Sequence, residues 1–173
     1  TTADAGFYAS VSISGVAWHD KNGDGVQNDG EMLSGVTFSL YAEEEASMSP
    51  LSVGTFSFES VGTPAVHTDG TPVADVTTGA AGTYSFTNLK PGSYHVVASL
   101  PTGYILSEQA AGSDRAKDSD FDAITFGSDT VTLASGESAD IDAGAFLPAR
   151  VEGTVWNDQD KSGTIDAGEA KLL

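Results

Sequence analysis

Gly82-Thr83-Tyr84-Ser85-Phe86-Thr87-Asn88-Leu89-Lys90-Pro91-Gly92-Ser93-Tyr94-His95-Val96-Val97-Ala98-Ser99 sets apolar residues against small polar ones at every second position, on either side of Pro91-Gly92. A period of two interrupted by a Pro-Gly turn reads as two half-buried strands, 83–87 and 93–99. The same texture continues outward, predicting strands at 12–18, 36–42, 53–61, 73–78, 122–126, 129–133 and 139–146. Between them fall the turn signals Asp69-Gly70, Ala81-Gly82, Thr102-Gly103 and Ser135-Gly136, and no stretch carries a helical period. Many short strands with regular turns make the fold class all-β, an Ig-like β-sandwich. Its expected core is Trp18, Phe38, Leu40, Phe86, Leu89, Tyr94 and Val96.

One loop of this sandwich occurs twice, 138 residues apart. Residues 20–31 place Asp20, Asn22, Asp24, Asn28 and Glu31 at positions 1, 3, 5, 9 and 12, with Gly25 at position 6 and the carbonyl of Val26 at position 7. That is the donor order of a Ca²⁺ loop: a hard cation takes about 6–8 oxygens, and a Gly must make the sharp bend. Residues 158–169 repeat it with Asp158, Asp160, Ser162, Gly163, Thr164, Asp166 and Glu169. An Asx-rich turn between strands uses the same residue types without metal, but two copies in register favour the cation. Mg²⁺ fits less well, because it keeps its waters, and Zn²⁺ is disfavoured by the absence of Cys and of spaced His ligands.

The repeat extends beyond the loop. At the same offset Asp4-Ala5-Gly6 falls on Asp142-Ala143-Gly144, Tyr8 on Phe146, Gly15 on Gly153 and Trp18 on Trp156. The organisation this predicts is a window on a tandem array. Residues 1–10 are the last strand of a preceding repeat, 11–148 one complete sandwich, and 149–173 the first strand and loop of the next. Lacking a sheet of its own, the last segment is expected to dock on the complete repeat or on a neighbouring molecule.

A net charge of −18, from 25 acidic and 7 basic residues, makes nucleic acid a poor partner and suits cation binding. No apolar run approaches the roughly 20 residues of a membrane span, and none reads as a secretory signal, as expected of an internal piece. Without Cys a secreted repeat needs a staple other than disulfides, and a metal is one.

Gly15-Val16-Ala17-Trp18-His19-Asp20 leading into the first loop, Ser34-Gly35-Val36-Thr37-Phe38-Ser39-Leu40, the stretch Gly82–Val96, Pro101-Thr102-Gly103-Tyr104, Lys117-Asp118-Ser119-Asp120 and Asp142-Ala143-Gly144 follow one another in a specific order. The chain resembles, over nearly all of 11–148, the B-type domains of serine-aspartate-repeat adhesins, relatives of the collagen-adhesin B domain. The resemblance implies a prealbumin-like sandwich, extracellular display and a calcium-stiffened stalk. The chain departs from that pattern at 43–67, where Glu43-Glu44-Glu45 and Val53-Gly54-Thr55-Phe56-Ser57-Phe58 form an insert, either a solvated loop or a lateral decoration.

Together with local chemistry the resemblance points to a second cation site built from Asp118, Asp120, Asp122 and Asp142, with Asp140 one pleat away and Asp114 a further candidate. Clustered carboxylates repel unless a cation neutralises them, although a solvated acidic turn has the same spacing. The expected function is an extracellular structural module, a stalk or filament of a cell-surface adhesin, whose partners are neighbouring copies of the same repeat. The alternative is a calcium-dependent carbohydrate- or protein-binding module using the insert for an unknown surface ligand. An enzyme is not expected, since no Ser-His-Asp order, Gly-x-Ser-x-Gly elbow or Cys nucleophile can be assembled. Isopeptide chemistry is not expected either, for 12–18 holds no Lys and 140–146 no Asn.

Overall fold

The computed structural model describes residues 5–43 and 62–172, so the strand expected at 53–61 and most of the 43–67 insert lie outside the described residues. In chain order its strands are β1 (Val11–His19), β2 (Thr37–Glu43), β3 (Thr63–Pro64), β4 (Val76–Thr77), β5 (Thr83–Leu89), β6 (Gly92–Ser99), β7 (Ile105–Leu106), β8 (Val131–Leu133), β9 (Ser138–Asp140) and β10 (Ala143–Phe146). Among the described residues there is no helix. Two sheets form: β5-β1-β10-β7 with β9 also beside β1, and β3-β2-β6-β8 with β4 also beside β2.

The alternation quoted above decides which faces meet. Tyr84, Phe86 and Leu89 of β5 and Tyr94, Val96 and Ala98 of β6 are buried, while the residues between them are exposed or half-buried. Phe38 of β2 occupies the centre, stacked on Tyr84 with ring centroids 3.9 Å apart and tilted against Phe121 at 5.6 Å. All seven expected core residues are buried. Trp18 departs from the alternation: it is buried beside an equally buried Ala17, in a notch that exists because residue 144 is Gly. A Cβ at Gly144 would lie 2.7 Å from Trp18 Cζ2.

The strand expected at 139–146 is broken. β9 and β10 both run parallel to β1 in one register, pairing Ser12 with Ser138 and Ala17 with Ala143, but the ladder is interrupted at the buried Ile141-Asp142, which passes against Gly15. The approach there is so close that a Cβ on Gly15 would sit 2.0 Å from the Ile141 carbonyl oxygen. That oxygen accepts a 2.7 Å hydrogen bond from the Tyr84 hydroxyl, and Asp142 Oδ1 accepts one of 2.7 Å from the Val16 amide. The stretch 122–126 is a turn instead of a strand, because Asp122 Oδ1 accepts from the Ile124 and Thr125 amides and the Thr125 hydroxyl. Such an Asx cap offers the backbone a local alternative to the ladder. The expected 73–78 shortens to Val76–Thr77, and β3 and β7 are two-residue pairings too short to show a period.

Residues flanking the sandwich are held lightly. The Ala9 amide donates to Ser135 Oγ at 2.8 Å. In the C-terminal segment the Asn157 and Leu172 amides donate to Ala170 and Val155 oxygens, closing a hairpin around the second loop. Among the described residues the hydrogen bonds of this hairpin run within it, and Val151, Val155, Ile165 and Leu172 are exposed, so the docking expected of it is not seen among those residues.

Candidate metal centre

The first loop hangs from the ends of β1 and β10, where the Asp20 amide donates to the Ala145 oxygen at 2.9 Å. Asp20 is fully buried and organises the loop through both oxygens. Oδ1 accepts from the Gly23 and Asp24 amides at 2.8 and 3.2 Å, and Oδ2 from the Gly25 amide at 2.8 Å and Ser107 Oγ at 2.6 Å. Gly25 is required twice over: its φ is +73°, and a Cβ would lie 2.5 Å from Ala111 Cβ. Asp24 is a second hub, accepting from the Asn22 and Asn28 side-chain amides at 2.9 Å each and from the Val26 amide. The Asn28 bond, then the Val26 amide, hold the Asp24 carboxyl below its ordinary pKa. The Val26 oxygen accepts from the Asn28 amide at 2.8 Å.

Glu31 stands apart from this group. Its carboxylate pairs with Lys21 and lies 3.9 Å from His19 Nδ1, and the Lys21 hydrogen bond lowers its pKa. Asp29 at position 10 instead accepts the Lys21 amide at 2.7 Å.

The second loop has the same backbone with a different closure. Left-handed φ values of +70° at Gly23 and +73° at Gly25 recur as +61° at Lys161 and +77° at Gly163. Asp158 accepts from the Ser162 and Gly163 amides at 3.0 Å, and Ser162 Oγ approaches Thr164 Oγ1 and Asp166 Oδ2 at 3.0 Å each. The Ser162 amide lowers the Asp160 pKa. The strand bridge, however, joins Trp156 to Lys171, one residue later than the Trp18–Met32 bridge of the first loop. The extra residue leaves Glu169 inside the loop, where Oε1 accepts the Gln159 amide at 2.9 Å. Asp158, Asp160 and Glu169 consequently bring one carboxylate oxygen each within 4.8 Å of one another. In both loops the candidate donors are oxygens, the ligand type a hard cation prefers.

The second acidic group assembles in part. Asp120 and Asp142 grip each other's backbone: the Asp142 amide donates to Asp120 Oδ2 and the Asp120 amide to the Asp142 oxygen, both at 2.8 Å. Burial raises the Asp120 pKa. Burial, with added repulsion from Asp140, Asp120 and Asp118, pushes Asp142 up to about 6 despite the Val16 bond. Asp118 is buried with Arg115 on Oδ2 at 3.1 Å and, among the described residues, no partner on Oδ1. Asp122 is taken up by its own turn, and Asp114 accepts from Ala116 and lies 3.9 Å from Lys117. Three participants escaped the sequence. Ser107 has no local signal, being 87 residues from Asp20. Lys21 and Asp29 lay in plain view but off the donor positions.

Comparison with known proteins places these features in a lineage. The family model described as SdrD B-like domain matches residues 58–145. Serine-aspartate repeat-containing protein F of Staphylococcus epidermidis is 29% identical over 173 residues, covering 97% of this chain and 9% of that protein. Serine-aspartate repeat-containing protein D of Staphylococcus aureus (strain Newman) is 30% identical over 175 residues, covering 97% of this chain and 11% of that protein. The chain thus spans about a tenth of the length of the curated relatives it matches. Among solved structures it is similar to a streptococcal ancillary pilin, with a TM-score of 0.49 and 18% identity over 85% of this chain and 34% of that one.

Proposed function

The chain belongs to the SdrD B-like domain family, and from that membership we propose that residues 11–148 are one calcium-stiffened module of an extracellular stalk or filament at a cell surface. The family is one of structural domains and not of enzymes. On this reading residues 1–10 and 149–173 belong to neighbouring copies of the same repeat, joined to the central sandwich by a few residues on each side. Linkers that short restrict hinge motion.

The observation that carries the reading is the recurrence of one loop conformation, left-handed at the same two positions, in residues 20–31 and again in 158–169. Asp20, Asn22, Asp24, the Val26 carbonyl and Asn28 would hold the cation in the first loop, with Glu31 once released from Lys21. Asp158, Asp160, Ser162, Thr164, Asp166 and Glu169 would hold it in the second. Asp118, Asp120 and Asp142 would form a further site, whose buried, mutually repelling carboxylates supply the reason for a cation to enter. A bound Ca²⁺ supplies positive charge against the net −18. Because it binds only the folded chain, it stabilises the module by mass action, by about 2.7 kcal/mol at a hundred times the dissociation constant.

The test is thermal unfolding of 1–173 with calcium and after exhaustive chelation, with metal content measured. Chelation is expected to lower Tm and to speed proteolysis. An unchanged melting curve after verified metal loss rejects calcium stiffening.

A further inference from the structure

We propose that Asn22-Gly23 is a self-modification site whose reaction the folded first loop holds in check. An Asn followed by Gly is the sequence most open to deamidation, because no Cβ shields the following backbone nitrogen and the chain there turns freely. In that reaction the Gly23 nitrogen, losing its proton, attacks Asn22 Cγ. The Cγ–Nδ2 bond breaks and ammonia leaves, giving a succinimide. Water then opens the ring to aspartate or isoaspartate, with no oxidant or other reactant needed.

Every group the attack requires is tied up in the structure. The Gly23 N–H donates to Oδ1 of the buried Asp20 at 2.8 Å, so the nucleophile points at a carboxylate. The Asn22 carboxamide is pinned at both ends, Oδ1 accepting the Asp24 amide at 3.1 Å and Nδ2 donating to Asp24 Oδ2 at 2.9 Å. Asn22 is nevertheless exposed, and a Cβ at Gly23 would meet nothing within 4 Å, so water reaches the site as soon as these bonds let go. The second loop shows what the aspartyl product is worth. Its residue at the same position is Asp160, followed by Lys161 in the same left-handed conformation. Deamidation to aspartate therefore gives the first loop the carboxylate that the second already has, while the isoaspartyl product lengthens the loop backbone by one carbon.

The proposal is tested on intact 1–173 aged at neutral pH in calcium, in chelator and in urea. Peptide mass spectrometry follows Asn22, with Asn28, Asn88 and Asn157 as internal references. Conversion confined to Asn22 and accelerated about tenfold or more by urea is expected, the weight of one charge-assisted hydrogen bond. Acceleration in urea and in chelator supports both this site and calcium in the loop; acceleration in urea alone supports the site and rejects calcium as what holds the loop. Asn22 reacting as fast in the native state as in urea, or no faster than the reference residues in urea, overturns the proposal.

Discussion

Replacing Asp142 by Asn tests whether the second acidic group is strained in the absence of a cation. The folded state raises the Asp142 pKa from 3.8 to about 6, so between those values it holds a proton the unfolded chain has released. The resulting stability is fully present below the unfolded value and is lost as pH rises through the folded one. Above it the ionised carboxylate costs the fold about two units, or roughly 3 kcal/mol. The Asp142 carboxyl keeps some contact with solvent, so screening makes this an upper limit. An Asn oxygen can keep the 2.7 Å bond from the Val16 amide, so the substitution removes the charge and spares the contact. Urea denaturation in chelator is expected to show Asp142→Asn more stable than the parent by up to about 3 kcal/mol at pH ~7.5 and equal to it near pH ~4. With calcium the order reverses, because the parent carboxylate becomes a donor that the amide replaces poorly. A variant less stable than the parent in chelator at the higher pH, or a gain of equal size at both pH values, refutes the reasoning.

Two further substitutions probe the frame around that site. Gly15→Ala drives a Cβ to 2.0 Å from the Ile141 oxygen and is expected to cost about 3 kcal/mol, read as a fall in Tm, whereas Gly153→Ala at the same repeat position, with nothing within 4 Å, should be silent. Equal effects would show that the close approach of Ile141 does not depend on Gly15. Lys21→Ala frees Glu31 for the first loop and should tighten calcium binding in titration calorimetry by up to about fivefold, since a pair this exposed is weakly held. Weaker or unchanged binding would show that Glu31 is not held back by Lys21.

Sandwich and core were legible because burial follows an alternation printed in the chain, from Tyr84-Phe86 to Tyr94-Val96. The loops were legible for a similar reason: Asx side chains bonding their own backbone impose spacings that survive in sequence. What escaped depends on partners far along the chain or on competition at short range. The break at Ile141-Asp142 needs Gly15 and Tyr84 at once, and no local pattern announces it. Asp122 opens Asp-Ala-Ile-Thr-Phe, whose Ile, Thr and Phe favour a strand, yet its carboxylate finds the Thr125 amide first, and Phe126 ends with a φ of +61°. The two loops look interchangeable in sequence, but the bridge at Lys171 shifts one closing hairpin by a residue, so Glu31 and Glu169 meet different partners.

The placement of the first and last strands gives the proposed stalk a physical rationale. β1 and the β9-β10 strand lie side by side and parallel, so the chain enters the sandwich at Val11, just before the pairing of Ser12 with Ser138, and leaves at Phe146, beyond the pairing of His19 with Ala145. A pull along an array draws β1 toward its start and β10 toward its end, in opposite directions along adjacent strands. The hydrogen bonds between them are then loaded together in shear and cannot be opened one by one from an end. The candidate cation donors sit on this seam: Asp142 at the break between β9 and β10, and Asp20 immediately after His19, bonded through its amide to Ala145. A cation held by either residue would tie the two loaded strands where they part.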